Sequence, residues 1–117
     1  MVLSRADYLT VQQIYRGWAL LGVVVLGALL STGLVSFRVR AHPPAFYPTL
    51  VAAACIAASL VVFFLFTYPA NQQTENWTTL PENWESLRRQ WEYSHAVGAG
   101  LYLLPLSGLT LSLLLDR

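Results

Sequence analysis

Three long stretches of the chain are nearly free of charge, and their length limits the folds that the chain can adopt. Two of them, residues 17–37 and 45–68, contain no charged residue, and the third, 93–115, carries only His95 near its beginning. At about 1.5 Å per residue, a helix of about 20 residues crosses the hydrocarbon core of a bilayer, which is about 30 Å thick. We therefore expect one domain, residues 1–117, that is an all-α multipass transmembrane bundle of three antiparallel helices. The expected spans are about 17–37, 46–68 and 93–115.

The composition agrees with a membrane protein and excludes several other classes. Charged residues make up 11% of the chain, against about 25% in soluble domains. All seven basic residues are Arg and the net charge is +1, so no basic patch for nucleic acid is expected. The single cysteine, Cys55, cannot form a disulfide or a CxxC site within one chain. The first apolar stretch is longer than the core of a signal peptide, about 7–15 residues, so we expect a retained helix and a lipid bilayer as the main partner.

One helix face that enters the third span carries an unusual set of side chains. At about 100° per residue, the members of this stripe are Trp84, Arg88, Trp91, His95, Gly98 and Tyr102. Two ion pairs at a spacing of four are expected along the same helix: Glu85 with Arg89, and Arg88 with Glu92. Tryptophan anchors and paired charges at a membrane interface need no catalytic role, so a purely anchoring helix stays open as an interpretation.

The cost of ionisable groups at membrane depth favours a sharper interpretation. Such groups usually face a bundle interior or a cavity, and His95, Arg88 and Asn71 are expected at the same membrane level. A histidine can accept a proton near neutral pH, and an Arg or Asn can stabilise the enolate oxygen that forms. The three residues therefore outline a site for proton abstraction.

Metal and haem sites fit the sequence poorly, and neither a metal nor a cofactor is expected. A bis-histidine haem needs two histidines at similar depth, but His42 is predicted at the opposite side of the membrane from His95. The residues from Glu92 to His95 form one Glu-x-x-His unit, whereas a di-iron bundle needs two such units and two more Glu residues. Only a homodimer could complete that set.

Residues 67–100, TYPANQQTENWTTLPENWESLRRQWEYSHAVGAG, contain a spaced pattern of uncommon residues. A Pro-x-Asn at the end of one span, Pro69 and Asn71, precedes a second group at fixed spacing: Trp84, Leu87, Arg88, Trp91, Glu92 and His95. This pattern resembles the signature of the anthrone oxygenase-like family of small integral membrane proteins, a family largely of unknown function. The segment YLTVQQIYRGWALLG is also similar to the one that enters the second span of that family.

The resemblance implies a fold and an activity. Family members usually have four spans, so either the reading frame starts at an internal Met, or three helices leave one side of the bundle open for a partner helix or a second copy. Characterised fungal relatives oxidise anthrones to anthraquinones with O2 and no evident cofactor. By this resemblance His95 would be the base, Asn71 or Arg88 would lie near the oxyanion, and Trp84, Trp91 and Tyr102 would bind the rings.

The resemblance also implies a location, the bacterial inner (plasma) membrane. A rival function from another class stays open, which is a non-enzymatic structural or assembly subunit of a membrane complex. In that case the stripe is a docking and anchoring surface rather than the wall of a site.

Overall fold

The computed structural model describes residues 3–115, which form helices and turns without a β-strand. The helices are α1 (Arg5–Gln12), α2 (Leu21–Arg38), α3 (Pro43–Val62), α4 (Tyr68–Gln73) and α5 (Trp84–Leu115). Three segments are long and apolar enough to cross a membrane: Leu21–Arg38, Pro43–Gln73 and Trp84–Leu115. The predicted all-α bundle with three spanning helices is confirmed.

The helix ends differ from the limits of the apolar stretches. The first spanning helix begins at Leu21, because two 3₁₀ turns and Gly17, whose φ is +84°, separate it from α1. The third spanning helix, α5, begins at Trp84, nine residues before its apolar stretch. A helix can continue from the membrane into water without a break. From His95 to Leu115 the helix rises about 30 Å at about 1.5 Å per residue, which is about the hydrocarbon thickness. A span of that thickness that ends at Leu115 would therefore begin near His95.

Helix α3 is the central helix and packs against both α2 and α5. Of the 18 most apolar consecutive residues in each spanning segment, 17% are buried in the segment that contains α3 and 6% in each of the other two segments. The chain reverses direction in a short turn between α2 and α3. In this turn the His42 amide donates to the Val39 carbonyl at 2.8 Å. Most of the large apolar side chains along the spans remain exposed, which is consistent with contact with a lipid bilayer.

A π turn at Phe63–Thr67 joins α3 to α4 and is held by two side chains of α5. Gln90 Nε2 donates to the Phe66 carbonyl at 2.7 Å, and Thr67 Oγ1 and Ser94 Oγ share a hydrogen bond of 2.6 Å between buried side chains. A π turn disrupts the regular i→i−4 bonding of a helix. Polar side chains of a neighbouring helix therefore stabilise the irregular backbone, as is usual in transmembrane segments.

The main apolar cluster lies at one end of the bundle, where α1, α4, residues 74–83 and the start of α5 meet. We call this cluster the cap. Its buried members are Tyr8, Ala70, Trp77, Leu80 and Leu87, with Leu3, Leu9, Trp84 and Trp91 packed against them. Within a bilayer, lipid tails are as apolar as the side chains and provide no hydrophobic drive between helices. Water is present at the membrane edge, so apolar burial stabilises the fold there.

Replacing Thr67 by Val is expected to weaken the contact between the π turn and α5, because Val keeps the shape but removes the hydroxyl bonded to Ser94. Bonds of this kind between membrane helices contribute about 0.6 to 1.7 kcal/mol. A double-mutant cycle with Ser94→Ala measures the coupling energy between the two side chains, from free energies of reversible unfolding in mixed micelles. Thr110→Val is the matched control, because the exposed Thr110 hydroxyl binds a carbonyl of its own helix. A coupling energy of zero would contradict the expectation.

Candidate functional site

The segment that leads into α5 turns through three consecutive left-handed residues. Glu75, Asn76 and Trp77 have φ values of 49°, 57° and 63°, and left-handed backbone costs about 1–2 kcal/mol for each such residue. Two backbone contacts compensate: the Asn76 amide donates to the Asn71 carbonyl at 2.7 Å, and the Trp77 amide donates to Thr74 Oγ1 at 3.2 Å. Local bonds thus hold an otherwise unfavourable turn.

Asn71 holds the same turn through its side chain. Its Oδ1 accepts the indole N–H of Trp77 at 3.0 Å. The Trp77 side chain is 3% exposed, so this bond satisfies a buried donor that would otherwise lack a partner. Asn71 therefore supports the cap, and only its amide NH2 remains to offer to a ligand.

The buried Trp77 ring connects three segments of the chain. Its centroid lies 5.4 Å from that of Tyr8 on α1 and 5.9 Å from that of Trp91 on α5, both edge-on. Gln13 Nε2 donates to the Trp77 carbonyl at 3.3 Å, and Tyr15 packs against Trp91 at 5.2 Å. These contacts hold the N-terminal segment, residues 8–15, against the start of α5.

A polar group surrounds the hydroxyl of Tyr8. This hydroxyl donates to Glu92 Oε1 at 3.3 Å and accepts from Gln12 Nε2 at 3.0 Å. The guanidinium of Arg88 lies 5.7 Å from the Tyr8 ring centre and 5.5 Å from that of Trp84, and its Nε is 4.0 Å from Glu92 Oε1. The cation thus lies near two neighbouring aromatic rings, which attract it electrostatically.

His95 lies one helical turn beyond Trp91 and is exposed. Its ring meets the Trp91 ring edge-on, with centroids 4.3 Å apart. Among the described residues no side chain or backbone group is hydrogen-bonded to its ring nitrogens. Both nitrogens are therefore free of protein partners within residues 3–115.

The structure brings together only part of the predicted site. Trp84 and Arg88 lie on one side of Tyr8, and Trp91 lies against His95, as members of one stripe. Asn71 reaches His95 only through the rings of Trp77 and Trp91.

The remaining predicted residues are less connected. Tyr102 makes none of the ring contacts seen among the described residues. Of the two predicted ion pairs, Arg88 with Glu92 is present at 4.0 Å. Glu85 and Arg89 are both exposed and form no pair within 4.0 Å in the described part of the chain. Water screens exposed charges, so such a pair gains little energy.

Two shallow hollows lie elsewhere on the surface. One, of about 380 Å³, is lined by residues at the far end of the bundle: Pro44, Gly108, Leu111, Ser112 and Leu115. The other, of about 260 Å³, lies beside the π turn and is lined by Val62, Phe66, Gln90, Tyr93, Ser94 and Val97. Neither hollow is lined by His95, Asn71 or Arg88.

Three residues central to this region were not singled out by their sequence pattern. Trp77 and Thr74 lie in a polar loop segment, where nothing in the spacing marks them as buried, yet they are 3% and 0% exposed. Tyr8 lies about 70 residues before Trp77 in the chain, and its helical spacing with Tyr15 does not indicate which segment it packs against. Long-range contacts of this kind have no local sequence pattern.

Comparison of the chain with protein-family models, with curated proteins and with solved structures gave no match. Within residues 3–115 no group of three or more His, Cys, Asp or Glu side chains could hold a metal ion.

Replacing Asn71 by Ala is expected to destabilise the cap by about 1–3 kcal/mol, because the buried indole N–H of Trp77 loses its acceptor. Chemical unfolding in detergent micelles, followed by tryptophan fluorescence, gives the free energy of unfolding. Gln72→Ala is the matched control, since Gln72 is exposed and adjacent. Equal stability of the two variants would show that the indole bond does not hold the turn.

Stability is expected to fall at high pH through Tyr8. Burial, assisted by the nearby Glu92 carboxylate and opposed by the bond from Gln12, raises the pKa of Tyr8 from 10.0 to about 12. The folded state keeps the phenolic proton where the unfolded chain has lost it, so this contribution is complete below pH 10 and lost as the pH rises towards 12.

The loss is at most about 1.4 kcal/mol per pH unit in that range. It is measured by comparing the free energy of unfolding of the wild type with that of Tyr8→Phe as a function of pH. Tyr8→Phe is expected to have a shallower slope above pH 10. Parallel slopes would contradict the assignment.

Proposed function

We propose that this membrane protein uses His95 to remove a proton from a flat, lipid-soluble, anthrone-like or quinol-like polycyclic substrate, which O2 then oxidises without a cofactor. The observation that carries the proposal is the setting of His95. Its ring is exposed near the hydrocarbon edge, both nitrogens are free among the described residues, and an indole stands 4.3 Å away. A base beside an aromatic wall suits a planar carbon acid that arrives through lipid.

The reaction balances without an added redox group. His95 takes the benzylic proton of the anthrone, and the resulting carbanion forms a C–O bond with O2. Protonation of that peroxide by the imidazolium gives a hydroperoxide, which loses water to leave a carbonyl. One CH2 group and one O2 thus become one C=O group and one water. The proton that His95 takes is returned, as general acid–base catalysis requires.

The geometry supports different roles for the three residues assigned to catalysis. His95 is the base, whereas Arg88 is directed towards Tyr8, Trp84 and Glu92 and supports the cap. Asn71 offers one amide NH2 group, since its oxygen accepts from Trp77. The rings of Trp77 and Trp91 separate Asn71 from His95, so in this proposal water at the interface stabilises the enolate oxygen.

A second function from another class is favoured by a separate observation. The hollows described above are not lined by His95, whereas the cap is a packed apolar cluster outside the apolar spans. A non-enzymatic structural or assembly subunit would use the outer side of this cluster to hold a partner. In that case neither His95 nor its free nitrogens would matter to the function.

The same proposal includes the location of the protein and the assembly of its helical bundle. The resemblance to the anthrone oxygenase-like family suggests the bacterial inner membrane and a bundle completed by a fourth helix. The packing is compatible with this, because α3 contacts both α2 and α5 while the outer helices keep most of their large apolar side chains exposed. A second copy or a partner helix is proposed to cover the open side.

Replacing His95 by Ala is expected to abolish O2-dependent consumption of an anthrone by the purified protein in nanodiscs, since within residues 3–115 no other imidazole contacts the Trp91 ring. The oxygen electrode and the absorbance of the anthraquinone product measure the rate. His42→Ala is the matched control, because His42 is exposed at the opposite end of the bundle.

The two variants separate the two candidate functions. Equal rates for the wild type and His95→Ala would remove His95 from the role of base. No turnover by the wild type with any anthrone or quinol supplied would favour the subunit.

A further inference from the structure

We propose that the rings of Trp91, Trp77 and Tyr8 form a path along which a one-electron oxidising equivalent moves from the side of His95 to Tyr8, whose phenolic proton passes to Glu92. We call this series the aromatic path. Its physiological use, the removal of oxidising equivalents that escape from O2 chemistry, rests on the proposed function. The path itself rests only on the arrangement of the rings.

Continuity of ring contacts is the first observation. Trp91 lies 4.3 Å from His95, Trp77 lies 5.9 Å from Trp91, and Tyr8 lies 5.4 Å from Trp77, all between ring centroids and all edge-on. These distances are within the range of direct aromatic contact. The members are the side chains most easily oxidised by one electron, Trp and Tyr, and they come from three separate segments.

The end of the path is the second observation. Oxidation of a phenol leaves a strongly acidic radical cation, so a tyrosine serves as a stopping point only where a base can take its proton. The Tyr8 hydroxyl donates to a carboxylate oxygen of Glu92 at 3.3 Å, which is long for such a bond. Glu92 is half exposed, so it can pass the proton on to water.

Tyr15 is a second tyrosine beside Trp91 that can be compared with Tyr8 as the end of the path. Its ring lies 5.2 Å from that of Trp91, nearer than Trp77 does, so an electron could be taken from it as readily. Among the described residues, however, its hydroxyl has no carboxylate as a hydrogen-bond partner. Proton acceptance, rather than ring distance, therefore selects Tyr8.

The steps balance with an organic peroxyl radical as the oxidant. The peroxyl radical takes one electron from Trp91 and one proton from the imidazolium of His95, and becomes a hydroperoxide. Trp77 then reduces the Trp91 radical cation, and Tyr8 reduces the Trp77 radical cation. Tyr8 gives its proton to Glu92, which leaves a neutral tyrosyl radical and an uncharged carboxyl group.

A tethered photo-oxidant tests the path without any substrate, so failure here is distinct from failure of the proposed function. A ruthenium complex is attached at Ala96→Cys, beside His95, in a background of Cys55→Ala and Tyr93→Phe that removes the native thiol and an exposed neighbouring tyrosine. Flash photolysis in nanodiscs with an external electron acceptor generates the oxidant, and electron paramagnetic resonance quantifies the tyrosyl radical. A strong tyrosyl signal is expected.

Three variants of this labelled protein decide the outcome. Tyr8→Phe is expected to lose the tyrosyl signal, Glu92→Gln to reduce it strongly while all rings remain, and Tyr15→Phe to leave it unchanged. Glu92 is half exposed, so Glu92→Gln keeps the proposal testable even where the variant at Tyr8 unfolds. Persistence of the signal in both Tyr8→Phe and Glu92→Gln, or its loss in Tyr15→Phe, would overturn the proposal.

Discussion

The burial of Trp77 is the interaction on which the rest of this structure depends. Three consecutive left-handed residues make the turn unfavourable by itself, and it persists because Asn71 binds the indole and Thr74 binds the backbone amide. With the ring fixed, Tyr8 and Trp91 have a surface to pack against. The position of α1 and the start of α5 both follow from that one side chain.

The location of the cap reflects the difference between water and lipid as solvents. Along the spans, most large apolar side chains are exposed, and helix contacts rely on a central α3 and on polar bonds such as Thr67 with Ser94. At the membrane edge water is present, so apolar burial is favourable again. His95 lies beside this cluster, with its ring against that of Trp91.

Much of the fold could be predicted from the sequence, and less of the site. Uncharged stretches identified all three spanning segments, because a bilayer imposes a length and excludes charge. Helical spacing placed Trp84, Arg88, Trp91 and His95 on one stripe. Helical spacing could not predict the hydrogen bond between Asn71 and Trp77. That bond depends on an irregular turn, and periodic sequence patterns describe only regular helices and strands.

By itself, then, the sequence determined an all-α membrane chain with three spans and a polar, aromatic entry into the third. Only the tertiary structure decided where that entry packs, because Tyr8 and Trp77 are distant in sequence and meet through a strained turn. It also decided that Arg88 faces Tyr8 and Trp84 while His95 keeps both ring nitrogens free among the described residues. Local periodicity reports the face of a helix, and the contacts of that face come from the rest of the chain.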